Sequence, residues 1–175
     1  MAYVTGGMIG IDLTSVTAGT TTDGAGAKYT LGTRVTGSQN GEWIYVQAGE
    51  AISTTVKQPL CLTVSETFQA LKAIEANVLQ GHIIAVAPTQ IIADNAFFWA
   101  QTRGICSLRV AVSCAADVNL WVVAGSAGRL DDTSGATGSV VLGIKITAAA
   151  SASTSEGNTV RTAIITNTLS PQLIA

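Results

Sequence analysis

The chain has 175 residues, of which only 11% are charged, against about 25% in an average soluble domain. Its net charge of -2, with nine Lys and Arg scattered without a cluster, excludes the basic footprint that a nucleic-acid backbone selects. Mean hydropathy is positive, yet no run approaches the roughly 18 unbroken apolar residues of a membrane helix, and the apolar run from His82 to Ala87 stops at Pro88.

Neither nucleic acid nor membrane is therefore an expected partner, and the surplus apolar surface is expected in a core or against other protein. This favours a homo-oligomer or a lattice component. The length suits one domain with a real core, read as an N-terminal arm over residues 1–40 and a single β domain over 41–175. The segment Met1 to Gly7 lacks the basic region and apolar core of a secretory signal, so synthesis in a cytoplasm is expected.

In the arm, the Gly- and Thr-rich stretch from Ala18 to Ala27 has little to bury. Met8 to Leu13 alternates apolar with small or polar residues and predicts a short strand that pairs with another subunit. Leu31 to Val35 and Glu42 to Ala48 read as strands joined by Thr36 to Gly41, whose Asn40-Gly41 pair has hairpin chemistry. A further strand is expected over Glu50 to Val56, and another over Leu60 to Val64 after Pro59. Ser65 to Leu79 is the one stretch that reads as a helix, with Phe68, Leu71, Ile74 and Val78 as a partial apolar stripe and Ser65 as N-cap, although a stripe of barely three turns with weak caps fits an irregular connection or another strand pair nearly as well. His82 to Val86 returns to strand.

The stretch from Asn95 to Ile146 is read as the organising centre. Leu108, Val110, Val112 and Cys114 alternate with Arg109, Ala111 and Ser113, which predicts a strand. Asn119 to Ala124 and Val140 to Ile146 supply two more across Gly/Ser/Asp turns, and together the three predict an antiparallel sheet. Ala148 to Gly157 is too small-sided to pack a core, and Asn158 to Thr166 is a last strand. Strand-like runs about ten residues apart point to an all-β fold, an antiparallel β-sandwich or barrel with an extended arm and at most one short helix. One internal echo, Tyr45 to Ile52 against Trp99 to Cys106, looks in each case like a strand, a turn and a return strand, either two related β units or a chance likeness in a Gly- and Ala-rich chain.

Chemistry needs convergent titratable groups. His82, the single histidine, heads an apolar strand with no acid nearby and no G-x-S-x-G elbow. Asp131-Asp132-Thr133-Ser134-Gly135 has oxygen donors that suit calcium, but it is also ordinary turn chemistry, which is favoured. Gly125-Ser126-Ala127-Gly128 lacks the Lys-Ser/Thr ending and the helix of a phosphate loop. Trp43, Trp99, Trp121, Tyr45, Phe97 and Phe98 could stack on sugars if exposed, yet aromatics among Val and Ile are more often core or interface. Cys61, Cys106 and Cys114 match no zinc spacing and read as small buried hydrophobes. No catalytic, cofactor-binding or metal-binding residue is assigned, no cofactor is expected, and the chain is read as a non-enzyme.

The runs Gly32 to Val35, Gly41 to Ala48, Phe98 to Gly104, Ala127 to Asp132 and Val141 to Ile144 together resemble small virion proteins of tailed bacteriophages, in particular capsid decoration, or cement, proteins. The resemblance covers about two thirds of the chain. It implies a mostly β fold, trimers over gaps between capsomers, an N-terminal arm that grips the shell, and no catalytic residues. The implied partners are the major capsid protein and further copies of the chain, and the implied location is the capsid exterior of the virion. Head-fibre and tail or adsorption proteins look alike at this level. A carbohydrate-binding β-sandwich is a more distant reading, which requires Trp43, Trp99 or Trp121 to lie coplanar on an exposed face.

Overall fold

A computed structural model describes residues 10–20, 25–37, 41–53, 57–78, 82–133, 139–149 and 159–166. The elements are β1 (Val16–Thr17), β2 (Arg34–Thr36), β3 (Glu42–Ala48), β4 (Cys61–Val64), β5 (Gln69–Lys72), α1 (Glu75–Val78), β6 (Ile83–Val86), β7 (Phe97–Val110), β8 (Leu120–Val122), β9 (Leu130–Asp131), β10 (Val140–Val141), β11 (Ile144–Ile146) and β12 (Thr159–Thr166). Among the described residues the fold is all-β with one short helix, as expected.

Strands β7, β6, β4, β5 and β3 pair in that order, and β3 pairs back onto β7, so the five close into a barrel. A ring with an odd number of strands cannot alternate direction all the way round. At least one neighbouring pair must run parallel, and here it is β3 with β5, through Gln47↔Gln69 and Ala48↔Ala70. A second parallel contact joins β7 to β9 at Val110↔Leu130. The remaining pairings are antiparallel, as expected, and these two contacts are the exceptions.

Alternation along the strands sorts the side chains into three cores. Ile44, Val46, Leu62, Val64, Ala70, Ala85, Phe98 and Ala100 point into the barrel. The many alanines follow from the narrow bore that few strands can enclose. On the outer side of β3 and β7, Trp43, Tyr45, Phe97 and Trp99 pack against Ile11, Leu13 and Val35. On the outer side of β4 and β6, Cys61, Ile84 and Val86 pack against Leu108, Leu120, Leu130, Ile144 and Ile165. Strands β4 and β6 are thus buried on both faces, which is why they read as unbroken apolar runs.

The organising strand is β7, 14 residues long. It begins at Phe97, earlier than the alternation from Leu108 suggested, and ends at Val110, so Val112 and Cys114 lie beyond it. Its first half belongs to the barrel. Its second half pairs with β12 from Arg103↔Thr166 to Val110↔Thr159. Between the halves Gly104 sits at φ 93°, a conformation that side-chain-bearing residues avoid. The Gln101 amide clamps this swivel by donating from Nε2 to the carbonyls of Arg103 and Ile105, each at 2.9 Å.

Other expectations are corrected. The stretch expected as a helix, 65–79, is a hairpin followed by one helical turn, and residue 79 lies outside the described residues. Ser65 N–H donates to Gln69 O at 2.9 Å, Gln69 N–H donates to Ser65 Oγ at 3.2 Å, and Phe68 turns the chain at φ 61°. Ladder pairing of β5 with both β3 and β4 outweighs a stripe barely three turns long. Instead of a strand over 50–56, Ser53 makes a single bridge to Ile92, and residues 54–56 lie outside the described residues. Val140 to Ile146 divides at Leu142 and Gly143, its first part joining β8 and its last joining β12.

In the arm, residues 8 and 9 lie outside the described residues, and Gly10 to Leu13 is not strand. Ile11 and Leu13 are buried against the barrel's own aromatics, and β1 pairs with β7 through Val16↔Phe98. The internal echo does not mark two equivalent units. Tyr45 and Trp99 are cross-strand partners, but β3 stops at Ala48 whereas β7 runs on through Gly104.

Candidate functional site

The outer face of the β7–β12–β11 sheet carries a cluster of exposed apolar residues. Ala163 and Ile165 of β12 and Leu108 and Val110 of β7 enter the core, so their alternates turn outward. Ile105 lies directly across from Ile164, which in turn lies across from Lys145. Ile105 is 47% and Ile164 39% exposed. In the turn before β11, Leu142 is exposed as well. Cross-strand pairs of β-branched residues normally stabilise a sheet by packing; here the pair also offers apolar area to a second surface.

Trp43, Tyr45, Phe97, Phe98 and Trp99 are core residues, whereas Trp121 is half-buried. Trp43 and Trp99 are only 6% and 1% exposed. Tyr29 stands edge-on to Tyr45 at 5.1 Å, and Tyr45 and Trp99 lie 4.9 Å apart. With two of the three tryptophans buried, the coplanar exposed platform of the sugar-binding reading does not form.

His82 sits beside residues about fifteen positions earlier in the chain. With Ser65, Glu66, Thr67 and Phe68 it lines a cleft of about 390 Å³ beneath the β4–β5 hairpin. Ser65 Oγ is engaged by Thr67 Oγ1 at 3.0 Å and by Gln69 N–H at 3.2 Å. His82 Nδ1 is buried without a hydrogen-bond partner among the described residues. A second cleft, of about 330 Å³, lies where Leu13, Trp43, Pro88, Gln101 and Ser107 meet.

Asp131 and Asp132 come together with Cys114, their ligand atoms all within 4.8 Å. Ala115 N–H donates to Asp132 Oδ2 at 3.0 Å, and Asp132 N–H donates to Asp131 Oδ1 at 2.8 Å. The Ala115 amide holds the Asp132 carboxyl below its ordinary range, while burial and then the hydrogen bond with Asp132 push Asp131 upward. Burial pushes the Cys114 thiol up to about 11, so it stays protonated at neutral pH. The Asp132-to-Asp131 bond is local turn chemistry, whereas the Ala115 bond ties the loop to a segment 17 residues earlier; Ser134 and Gly135 lie outside the described residues. In Gly125 to Gly128 the amides point inward, Ser126 N–H to Val123 O at 3.2 Å and Gly128 N–H to Ala73 O at 2.9 Å. The three cysteines are free thiols, with Cys61 and Cys114 buried.

The fold defines the chain as an all-β protein whose five-stranded barrel is coated on two outer sides. No protein-family model, curated protein or solved structure matches it.

Proposed function

We propose that the protein is a structural virion component that binds the outer surface of a tailed-phage capsid and stabilises the shell, acting as a homotrimer. The observation that carries this reading is the outward Ile105–Ile164 pair on the β7–β12–β11 face, in a chain with few charges to keep such a face solvated. Because the described part of the arm is packed on its own barrel, the grip on the major capsid protein is assigned to outer sheet faces. A protein that binds the assembled shell and not its dissociated subunits shifts the equilibrium toward the intact particle by mass action.

The test mixes purified protein with expanded and unexpanded shells of its own phage, removes unbound material by sedimentation, and images the particles. Density at fixed sites between capsomers, on shells that survive higher temperature, supports the proposal. Failure to bind either shell overturns it and turns attention to a head-fibre or adsorption role.

A further inference from the structure

We propose that Arg109 and Arg129, together with Gln58, form a receptor for a carboxylate presented by an Asp or Glu side chain of a partner protein. The pair is created by the fold. Val110 and Leu130 are partners in the parallel β7–β9 contact, and both enter the core. In a parallel pair, residues one step back lie side by side on the opposite face, so Arg109 and Arg129 stand together on the outside.

The segment before β4 borders them. Arg109 N–H donates to Pro59 O at 2.9 Å, and Arg109 Nη1 donates to Gln58 Oε1 at 2.8 Å.

Two like charges held together call for a counter-charge. Among the described residues the ion pairs are Lys72–Glu50 and Arg103–Glu42, and neither includes this pair. The nearest acid along β9, Asp131, accepts from Asp132 N–H instead. Nε of both arginines is buried without a hydrogen-bond partner among the described residues. Burial and then the Arg129 charge push the Arg109 guanidinium below its ordinary range, the reverse of what a neighbouring carboxylate would do.

The donors present select among anions. Guanidinium forks match the two oxygens of a carboxylate in one plane. A phosphate, with more oxygens to satisfy, normally recruits backbone N–H groups as well. Here the surrounding amides are spent internally: Arg129 N–H on Ser126 O, Gly128 N–H on Ala73 O and Cys61 N–H on Gly128 O. Both arginines are half-buried rather than enclosed, which leaves part of each side chain within reach of a side chain from another protein.

The experiment follows the arginine Nε–H resonances of the full chain by NMR, at constant ionic strength. Three probes are titrated separately: a capped Gly-Glu-Gly peptide, succinate and inorganic phosphate. The Arg109 and Arg129 signals are expected to move with peptide and succinate, while exposed Arg34 and ion-paired Arg103 stay still. Arg129→Gln is expected to weaken both by about tenfold, and Arg129→Lys nearly as much, because the lysine keeps the charge and loses the fork. Stationary signals, or movement no larger than at Arg34, overturn the site. A phosphate response equal to that of succinate overturns the carboxylate assignment, and a response to succinate but not to the peptide overturns the protein side chain as its source. The wild-type titration decides these points even if a variant fails to fold, and none of them depends on binding to shells.

Discussion

Ala85→Leu tests whether the barrel is closed and filled. Ala85 is fully buried in the middle of β6 and points into the bore with Leu62, Phe98 and Ala100. A ring of five strands leaves no room to move aside, so three added carbons must push neighbours off their rotamers. Overpacking of this kind costs about 1–3 kcal/mol, and in a domain of this size each kcal/mol lowers the melting temperature by roughly 2–4 °C. The expected drop is therefore about 2–12 °C by differential scanning calorimetry. Ala148→Leu, at an exposed position, is the control and should stay within about 0.5 kcal/mol of wild type. One residue earlier, Ile84 faces the opposite core, and Ile84→Ala should cost about 2–5 kcal/mol through a cavity. Wild-type melting of Ala85→Leu would mean that the bore has free space and that β3 and β7 do not seal it.

Gly104→Ala forces a side chain into φ 93° and should cost on the order of 1–3 kcal/mol, read as a lower urea midpoint; an unchanged midpoint would show that the swivel is absent in solution. Removing the clamp with Gln101→Ala should by itself cost ~1–3 kcal/mol for two hydrogen bonds, and in the double variant the two effects should not add, because they act on one kink. Burial raises the thiols of Cys61 and Cys106 to about 12. Roughly one in ten thousand is then ionised at pH 8, so iodoacetamide should leave both intact in the native protein and modify them in urea; mass spectrometry that finds native Cys61 alkylated refutes this burial. Asp132, depressed below its ordinary value of 3.8 by the Ala115 N–H, contributes stability that is present above that value and lost as the pH falls through its lower folded value. Wild type should therefore exceed Asp132→Asn in stability at pH 6 and lose that advantage toward pH 3, whereas a difference constant with pH would refute the assignment.

Local alternation made much of the fold legible. Trp43 and Tyr45 lie in the strand expected over Glu42 to Ala48, and in the outer coat they pack with Phe97 and Trp99 of β7, Tyr45 directly across from Trp99. The helix expectation failed because Phe68, Leu71, Ile74 and Val78 fit a helical stripe as readily as a hairpin. What decides between the two is the left-handed turn at Phe68, which no spacing reveals for an aromatic residue. Closure of the ring was illegible, because it depends on β3 meeting β7 across more than fifty residues and on a parallel pair that parity demands only once the strand count is known. The Arg109–Arg129 neighbourhood has the same character. Twenty residues separate the two in sequence, and only the register at Val110↔Leu130 brings them together. His82 beside Ser65 likewise depends on a hairpin that the sequence pattern hid.

The position of β7 at the hub has a consequence for how the chain is born. Strand β3 leaves the ribosome about fifty residues ahead of the partner that seals it. At about 5–20 residues per second, the nascent chain carries β3's unsealed edge for roughly 3–10 s. Strands β4 to β6 can meander locally during that interval, but the bore stays open until Phe97 and its successors arrive. Pairings this distant in sequence slow folding, because the loop must close before any contact rewards it. Ribosome-held chains that end before β7 should accordingly be the species most prone to clump and the ones most in need of a chaperone.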